Sequence, residues 1–148
     1  TSAENISRLQ HSTRFDNLPP DIMIIYMGNN DALVQNLNTA NFEKSYRNML
    51  NNLYTLYPNI QLFLGTLSYE KYFVGKDYYE EHVLVTAEVN RIIQSLASEY
   101  NLPIIDFATA YSDSSYLFDT IHPNVLGMKA LANVAIDAIS KFYNPTTI

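Results

Sequence analysis

Cysteine is absent from the 148 residues. That excludes disulfides, thiolate metal sites and a cysteine nucleophile, and it is compatible with cytoplasmic and secreted settings alike. Charge is also sparse: 16% of residues are Asp, Glu, Lys or Arg, with a net charge of −6. Lys and Arg are scattered and form no basic stripe, so nucleic acid is not an expected partner. No apolar run approaches the roughly 20 residues of a membrane-spanning helix. No secretory signal is visible, although a chain that opens at Thr1 without Met makes that absence weak. Repeats, low-complexity tracts and linkers are missing as well, and so is the His-Glu-x-x-His pattern of a zinc hydrolase.

What is present suffices for a core. Hydrophobic residues make up 47% of the chain, and residues 1–148 have the size of one ordinary domain. Ser2 is placed to cap a short first helix carrying Ile6 and Leu9, with Glu4 in its first turn. Asn17-Leu18-Pro19-Pro20 then breaks the chain. Residues 22–27 read as an apolar strand. Phe42, Tyr46, Met49, Leu50, Leu53 and Tyr57 recur at helical spacing. A second strand is expected over 59–67 and a long amphipathic helix over Val85, Val89, Ile92, Ile93, Leu96 and Tyr100. A short strand over 102–108 and a last helix follow, the helix turning Met128, Leu131, Ala135, Ala138, Ile139 and Phe142 inward.

Alternating strands and helices, with strands apolar throughout, predict an α/β fold: a parallel sheet between two helical layers, three-layer α/β/α and flavodoxin-like. Ligands of such sheets bind beyond the carboxyl ends of the strands. The loops expected there are 28–36, 67–77 and 108–123. Two of them carry polar clusters. Gly28-Asn29-Asn30-Asp31 stands directly at a strand exit, and Gly28 permits a tight turn. In the stretch 117–127 (LFDTIHPNVLG), Asp119 and His122 are three positions apart. Pro123 biases His122 away from helix, and Asn124 is suited to cap the last helix. A carboxylate bonded to one imidazole nitrogen fixes the tautomer and leaves the other nitrogen as a base.

Taken together, Gly28-Asn29-Asn30-Asp31 after a strand and Asp119-x-x-His122-Pro123-Asn124-x-x-Gly127 opening the last helix resemble the SGNH (GDSL-type) hydrolase family. The resemblance extends over essentially the whole chain, including Thr1 to Ser7. It implies an ester hydrolase without cofactor or metal. Asn30 corresponds to the side-chain donor of the oxyanion hole, His122 to the general base and Asp119 to its orienting carboxylate. Gly28 and Asp31 then support the turn. The implied substrates are small-molecule or carbohydrate esters, with small acyl groups such as acetyl first.

The family's nucleophile is a Ser in a Gly-Asp-Ser block on the first strand, and no Gly-Asp-Ser occurs here. The family's second block also ends just before Thr1. The expectation is therefore a C-terminal portion of a larger fold, its sheet incomplete at the N-terminal strands. The Ser would come from an N-terminal segment, in the same polypeptide or in a second one, and this chain alone would be inactive. Ser68, which follows the second strand, is the best internal substitute, but it lacks the Gly-x-Ser-x-Gly elbow.

Each residue also has a plainer reading. Asn29, Asn30 and Asp31 alone are ordinary turn residues, and His122 alone is equally a loop histidine bonded for structure. Their joint placement at one sheet edge favours a site. His11 and His82 read as surface or satisfied residues, and Glu80 and Glu81 as a solvated helix start. Tyr69 and Tyr72, in the loop after the second strand, are candidates to stack on substrate or simply to pack the loop. The rival functional reading is a non-catalytic α/β carbohydrate-binding module related to the family. A flavodoxin-like nucleotide domain would need a phosphate-binding loop after the first strand, where this chain has Gly-Asn-Asn-Asp.

Overall fold

A computed structural model describes residues 19–33, 37–68, 79–111, 113–119 and 122–145. The first expected helix, with Ser2, Ile6, Leu9 and also His11, lies outside them.

Three strands, β1 (Ile22–Ile25), β2 (Gln61–Gly65) and β3 (Ile104–Ile105), form a parallel sheet in the order β1-β2-β3. Ile24 pairs with Phe63, and Gly65 with Ile105. The central strand explains its own sequence. Leu62, Phe63 and Leu64 are all fully buried because helices cover both faces, so no polar alternation is tolerated.

Helices α2 (Thr39–Leu56) and α3 (Tyr79–Glu99) cover one face. Asn38 caps α2 by accepting from the Asn41 N–H at 3.0 Å. The predicted stripe of α2 is buried from Phe42 to Leu53. It meets Val89, Ile92, Ile93 and Leu96 of α3 and Ile25, Leu62 and Leu64 of the sheet in one core cluster. Asn101, at φ 53°, ends α3, and the Leu102 N–H reaches back to the Ala97 carbonyl at 2.7 Å. This is a left-handed cap with Asn in the place glycine usually takes.

Helix α4 (Val125–Tyr143) lies on the opposite face. Leu131, Val134, Ala135, Ala138 and Ile139 pack on Phe63, Ile105 and Phe107. This cover reaches β2 and β3 and stops short of β1. Ile22 and Ile24 project to the same side as Phe63 and remain 40% and 41% exposed. Among the described residues β1 has no strand partner on its outer edge. The three-layer parallel fold read from the sequence is present, and among the described residues its sheet is incomplete, with three strands.

The differences from expectation are local. All three strands are shorter than their apolar runs. Gly28, at φ 126°, turns the chain soon after β1, and a one-turn helix α1 (Asn29–Ala32) replaces the start of the expected loop. Beyond β3, Asp106 opens a 3-10 turn over Phe107–Thr109. Met128 and Phe142, expected inward, are exposed. Phe142 still meets the Phe63 ring edge-on at 5.3 Å.

Candidate active site

The segment between β3 and α4 folds on itself before the helix begins. Leu117 and Pro123 form an isolated antiparallel bridge. The Phe118 N–H donates to the His122 carbonyl at 2.8 Å, and the Asn124 N–H to the Tyr116 carbonyl at 3.0 Å. Asp119 and His122 sit within the loop so closed. One Asp119 oxygen accepts from the His122 backbone N–H at 2.7 Å, and the other lies 2.8 Å from ring Nδ1. The carboxylate thus holds both the backbone and the ring of the same residue. A carboxylate accepts, so Nδ1 carries the proton and Nε2 is the basic nitrogen of the neutral ring. Both side chains reach solvent, His122 more so than Asp119.

The other residues of this motif have visible duties. Asn124 Oδ1 accepts from the N–H groups of Leu126 and Gly127, at 2.8 and 3.1 Å, and caps α4. Its Nδ2 donates to the carbonyls of Ser115 and Leu117, at 2.7 and 3.2 Å, so the cap is also a tether for the loop. Gly127 is buried where the first turn of α4 meets that loop. A β-carbon there would come within 2.3 Å of the Tyr116 carbonyl oxygen and 2.8 Å of the Pro123 side chain.

At the exit of β1, Gly28 occupies the left-handed region that favours glycine. Its β-position is closed in by Leu67, Phe42 and Val89 at 3.3 to 3.4 Å. The Ala32 N–H returns to the Gly28 carbonyl at 2.8 Å and closes α1. Asn30 is exposed on this turn, and Asn29 and Asp31 are half-buried. The structure therefore brings Asp119 and His122 into contact. It sets the Gly28–Asp31 turn at the carboxyl end of β1, and the Asp119–His122 loop after β3, two strand positions away. Tyr69 and Tyr72 lie outside the described residues. Ser68 is half-buried, its Oγ 3.3 Å from the Tyr26 hydroxyl.

Sequence reasoning missed the bonds that tie the site loops together. Thr66, just past β2, donates to Asp106 Oδ1 at 3.0 Å and accepts from the Ala108 N–H at 3.0 Å. Thr109 donates to the other Asp106 oxygen at 2.9 Å. Asn90 of α3 grips Leu67 at both its N–H (2.6 Å) and its carbonyl (2.9 Å). His82 proves to be buried, its Nδ1 3.1 Å from the Ala32 carbonyl. The available signal was the four-residue spacing of His82, Thr86 and Asn90 beside the apolar stripe of α3. Beside His122, an open, mostly apolar groove of about 560 Å³ runs along Phe118, Pro123, Val125 and Met128 to Lys129. Among the described residues no cluster of three or more metal-ligating side chains occurs, and no helix is long and apolar enough to cross a membrane.

A family profile described as GDSL-like lipase/acylhydrolase matches residues 1–130. No curated protein sequence matches significantly. Several solved structures share the fold. An acetylxylan esterase from Geobacillus stearothermophilus superposes with TM-score 0.74 at 18% identity, over 94% of this chain and 67% of its own. Two further forms of that esterase, one with a serine and one with an aspartate replaced by alanine, are described as catalytic mutants. A family 3 carbohydrate esterase from Clostridium thermocellum gives TM-score 0.68 at 20% identity, covering 96% of this chain and 66% of its own. A GDSL-like lipase from Bacteroides thetaiotaomicron gives 0.75 at 18% identity, covering 96% and 72%. At these identities the likeness is one of fold, and this chain spans about two-thirds of the length of the proteins it resembles.

Proposed function

The chain belongs to the GDSL-like lipase/acylhydrolase family, and on that premise we propose that it is the part of a serine ester hydrolase that supplies the base, its orienting carboxylate and an oxyanion donor. The observation that carries this reading is the double hold of Asp119 on His122, at the backbone N–H and at Nδ1. A merely structural loop needs only the first of those bonds. The second fixes the tautomer that a general base requires.

The nucleophilic Ser comes from a polypeptide segment outside this sequence, seated along the outer edge of β1, which has no strand partner among the described residues. Its hydroxyl attacks the ester carbonyl carbon while His122 Nε2 takes the hydroxyl proton. Asp119 steadies the imidazolium so formed. The tetrahedral oxyanion is held by the Asn30 side-chain amide and backbone N–H groups, where one such donor is worth roughly 3 to 4 kcal/mol. Collapse breaks the bond to the alcohol, which leaves with the proton from Nε2. Water then attacks the acyl-serine by the same route, His122 again taking the proton, and releases the acid. Small acyl esters of carbohydrates are the substrate class. The carbohydrate esterases among the fold relatives support that choice.

The test is hydrolysis of 4-nitrophenyl acetate and of acetylated xylooligosaccharides by the polypeptide that includes the serine-bearing segment. His122→Ala should lower kcat by about 10²- to 10⁴-fold, the usual range for losing a general acid–base group. Normal turnover with Ala at 122 would remove the reading.

A further inference from the structure

Three polar side chains are buried along one face of α3. His82, Thr86 and Asn90 are 6%, 2% and 5% exposed, and their spacing of four sets them in a row. Their neighbours on the helix are Val85, Val89, Ile92 and Ile93, the apolar stripe of the core. Polar groups in such a place are costly unless hydrogen-bonded. A helix that served only to pack would carry aliphatic residues here.

Two members of the row bond to the backbone of the site loops. A carbonyl oxygen only accepts, so His82 donates from Nδ1 to Ala32, the last residue of α1. Asn90 both accepts from and donates to Leu67. The Leu67 side chain in turn lies 3.3 Å from where a β-carbon on Gly28 would be. The turn that presents Asn30 is thus held at its end by His82. At its start the turn lies against the side chain of Leu67, whose backbone Asn90 fixes.

This turn needs outside support. It has four residues, closed by the Ala32-to-Gly28 and Leu33-to-Asn29 bonds, far below the length at which a helix sustains itself. An oxyanion donor, by contrast, must stand within hydrogen-bond distance of a position occupied only in the transition state, and a misplacement of about 1 Å costs on the order of 10²-fold. We propose that His82 and Asn90 are positioning residues, which act through Ala32 and Leu67 to hold the Asn30 amide where the oxyanion forms. The inference rests on the role assigned to Asn30 above.

The experiment measures kcat and KM for 4-nitrophenyl acetate in the serine-bearing polypeptide, for His82→Leu, Asn90→Leu and Asn30→Ala, and for each Leu variant combined with Asn30→Ala. Loss of positioning lowers kcat by about 10- to 100-fold and leaves KM within about twofold, because the lost interaction exists only in the transition state. In the Asn30→Ala background the Leu variants should cost less than about threefold, since the group they position is already gone. His82→Asn, whose Nδ2 can stand where Nδ1 stood, should recover most of kcat, and His82→Gln should not. That Asn–Gln pair carries the test if Leu at 82 prevents folding. Amide hydrogen exchange at Ala32 and Leu33 should quicken in His82→Gln and not in His82→Asn. Equal losses in both backgrounds, or failure of His82→Asn to rescue, would assign the row to stability alone and overturn the proposal. A large effect of Asn30→Ala with none from His82→Leu or Asn90→Leu would overturn it and leave the oxyanion reading intact. No effect of Asn30→Ala would sink both.

Discussion

His122 and Asp119 are held by each other, and Asn124 holds the loop that presents them. Replacing Asn124 by Ala removes a double N-cap of α4 and two bonds to loop carbonyls. Loss of a cap alone costs about 0.5–2 kcal/mol, so a fall in Tm of roughly 1–8 °C is expected on thermal unfolding of the variant. An unchanged Tm would mean that the loop holds without its tether. At this scale the geometry of the candidate site was legible where its bonds are local. Asp119 to His122 and Asn124 to Gly127 each span three positions, and short spacings fix geometry. Thr66 to Asp106 and Asn90 to Leu67 span 40 and 23 positions, and only the folded sheet brings them together. Two buried tyrosines give a pH dependence that the sequence could not show. Burial raises Tyr111 to about 12, with a smaller contribution from Tyr26. Burial also raises Tyr46, whose ring lies in the core. An unfolded tyrosine ionises near 10. Above that pH the unfolded chain releases protons that the folded chain retains, so stability is full below pH 10 and falls as pH rises toward 12. Thermal midpoints between pH 8 and 12 should show this decline, and Tyr46→Phe and Tyr111→Phe should each flatten it.

Among the elements, α4 is the one whose placement decides the candidate site, because its first turn carries the loop. Gly127→Ala separates two effects of opposite sign. Helix propensity favours Ala over Gly by about 1 kcal/mol. Against this, the new β-carbon would lie 2.3 Å from the Tyr116 backbone oxygen, and backbone cannot swing aside as a side chain can. Overpacking of this kind costs about 1–3 kcal/mol, so the steric effect prevails. The variant should unfold at lower urea with an unchanged m-value. Its Leu117–Pro123 bridge, and with it His122, should be displaced. A stabilised Gly127→Ala would show that α4 can slide away from the loop at no cost. The sequence located α4 through its cap and its apolar spacing, and it located β2 through an unbroken apolar run. It overstated all three strands at their carboxyl ends for one reason. Apolar side chains continue past the last paired residue and pack as loops, as Met27 and Leu67 do, while pairing itself ends where Gly28 or Asp106 turns the backbone. Inward positions on α4 were misjudged at Met128 and Phe142 because helical spacing defines a stripe, and how much of the stripe is covered depends on what lies opposite.

On the scale of the whole molecule, the two faces of the sheet are unequal. One buries a continuous core under α2 and α3. Among the described residues the other is covered over β2 and β3, and Ile22 and Ile24 are exposed beside a β1 edge that has no strand partner. An apolar edge of this kind invites pairing, and the serine-bearing segment is the occupant proposed for it. Two substitutions distinguish a surface awaiting that segment from an ordinary part of the core. Leu64→Ala empties a fully buried site of β2 and should cost about 2–5 kcal/mol in this chain whether or not the segment is present. Ile24→Lys places a charge on a side chain 41% exposed, whose long stem can reach water. In this chain alone it should cost less than about 1 kcal/mol, and it should reduce self-association through the β1 edge. In the serine-bearing polypeptide the same position becomes interior to the sheet, and a lysine buried there without a partner should cost several kcal/mol. Urea unfolding of both polypeptides, with sedimentation to follow self-association, reads the contrast directly. If Ile24→Lys costs as little in the serine-bearing polypeptide as in the shorter chain, the segment does not cover β1, and the nucleophile must reach His122 from another side.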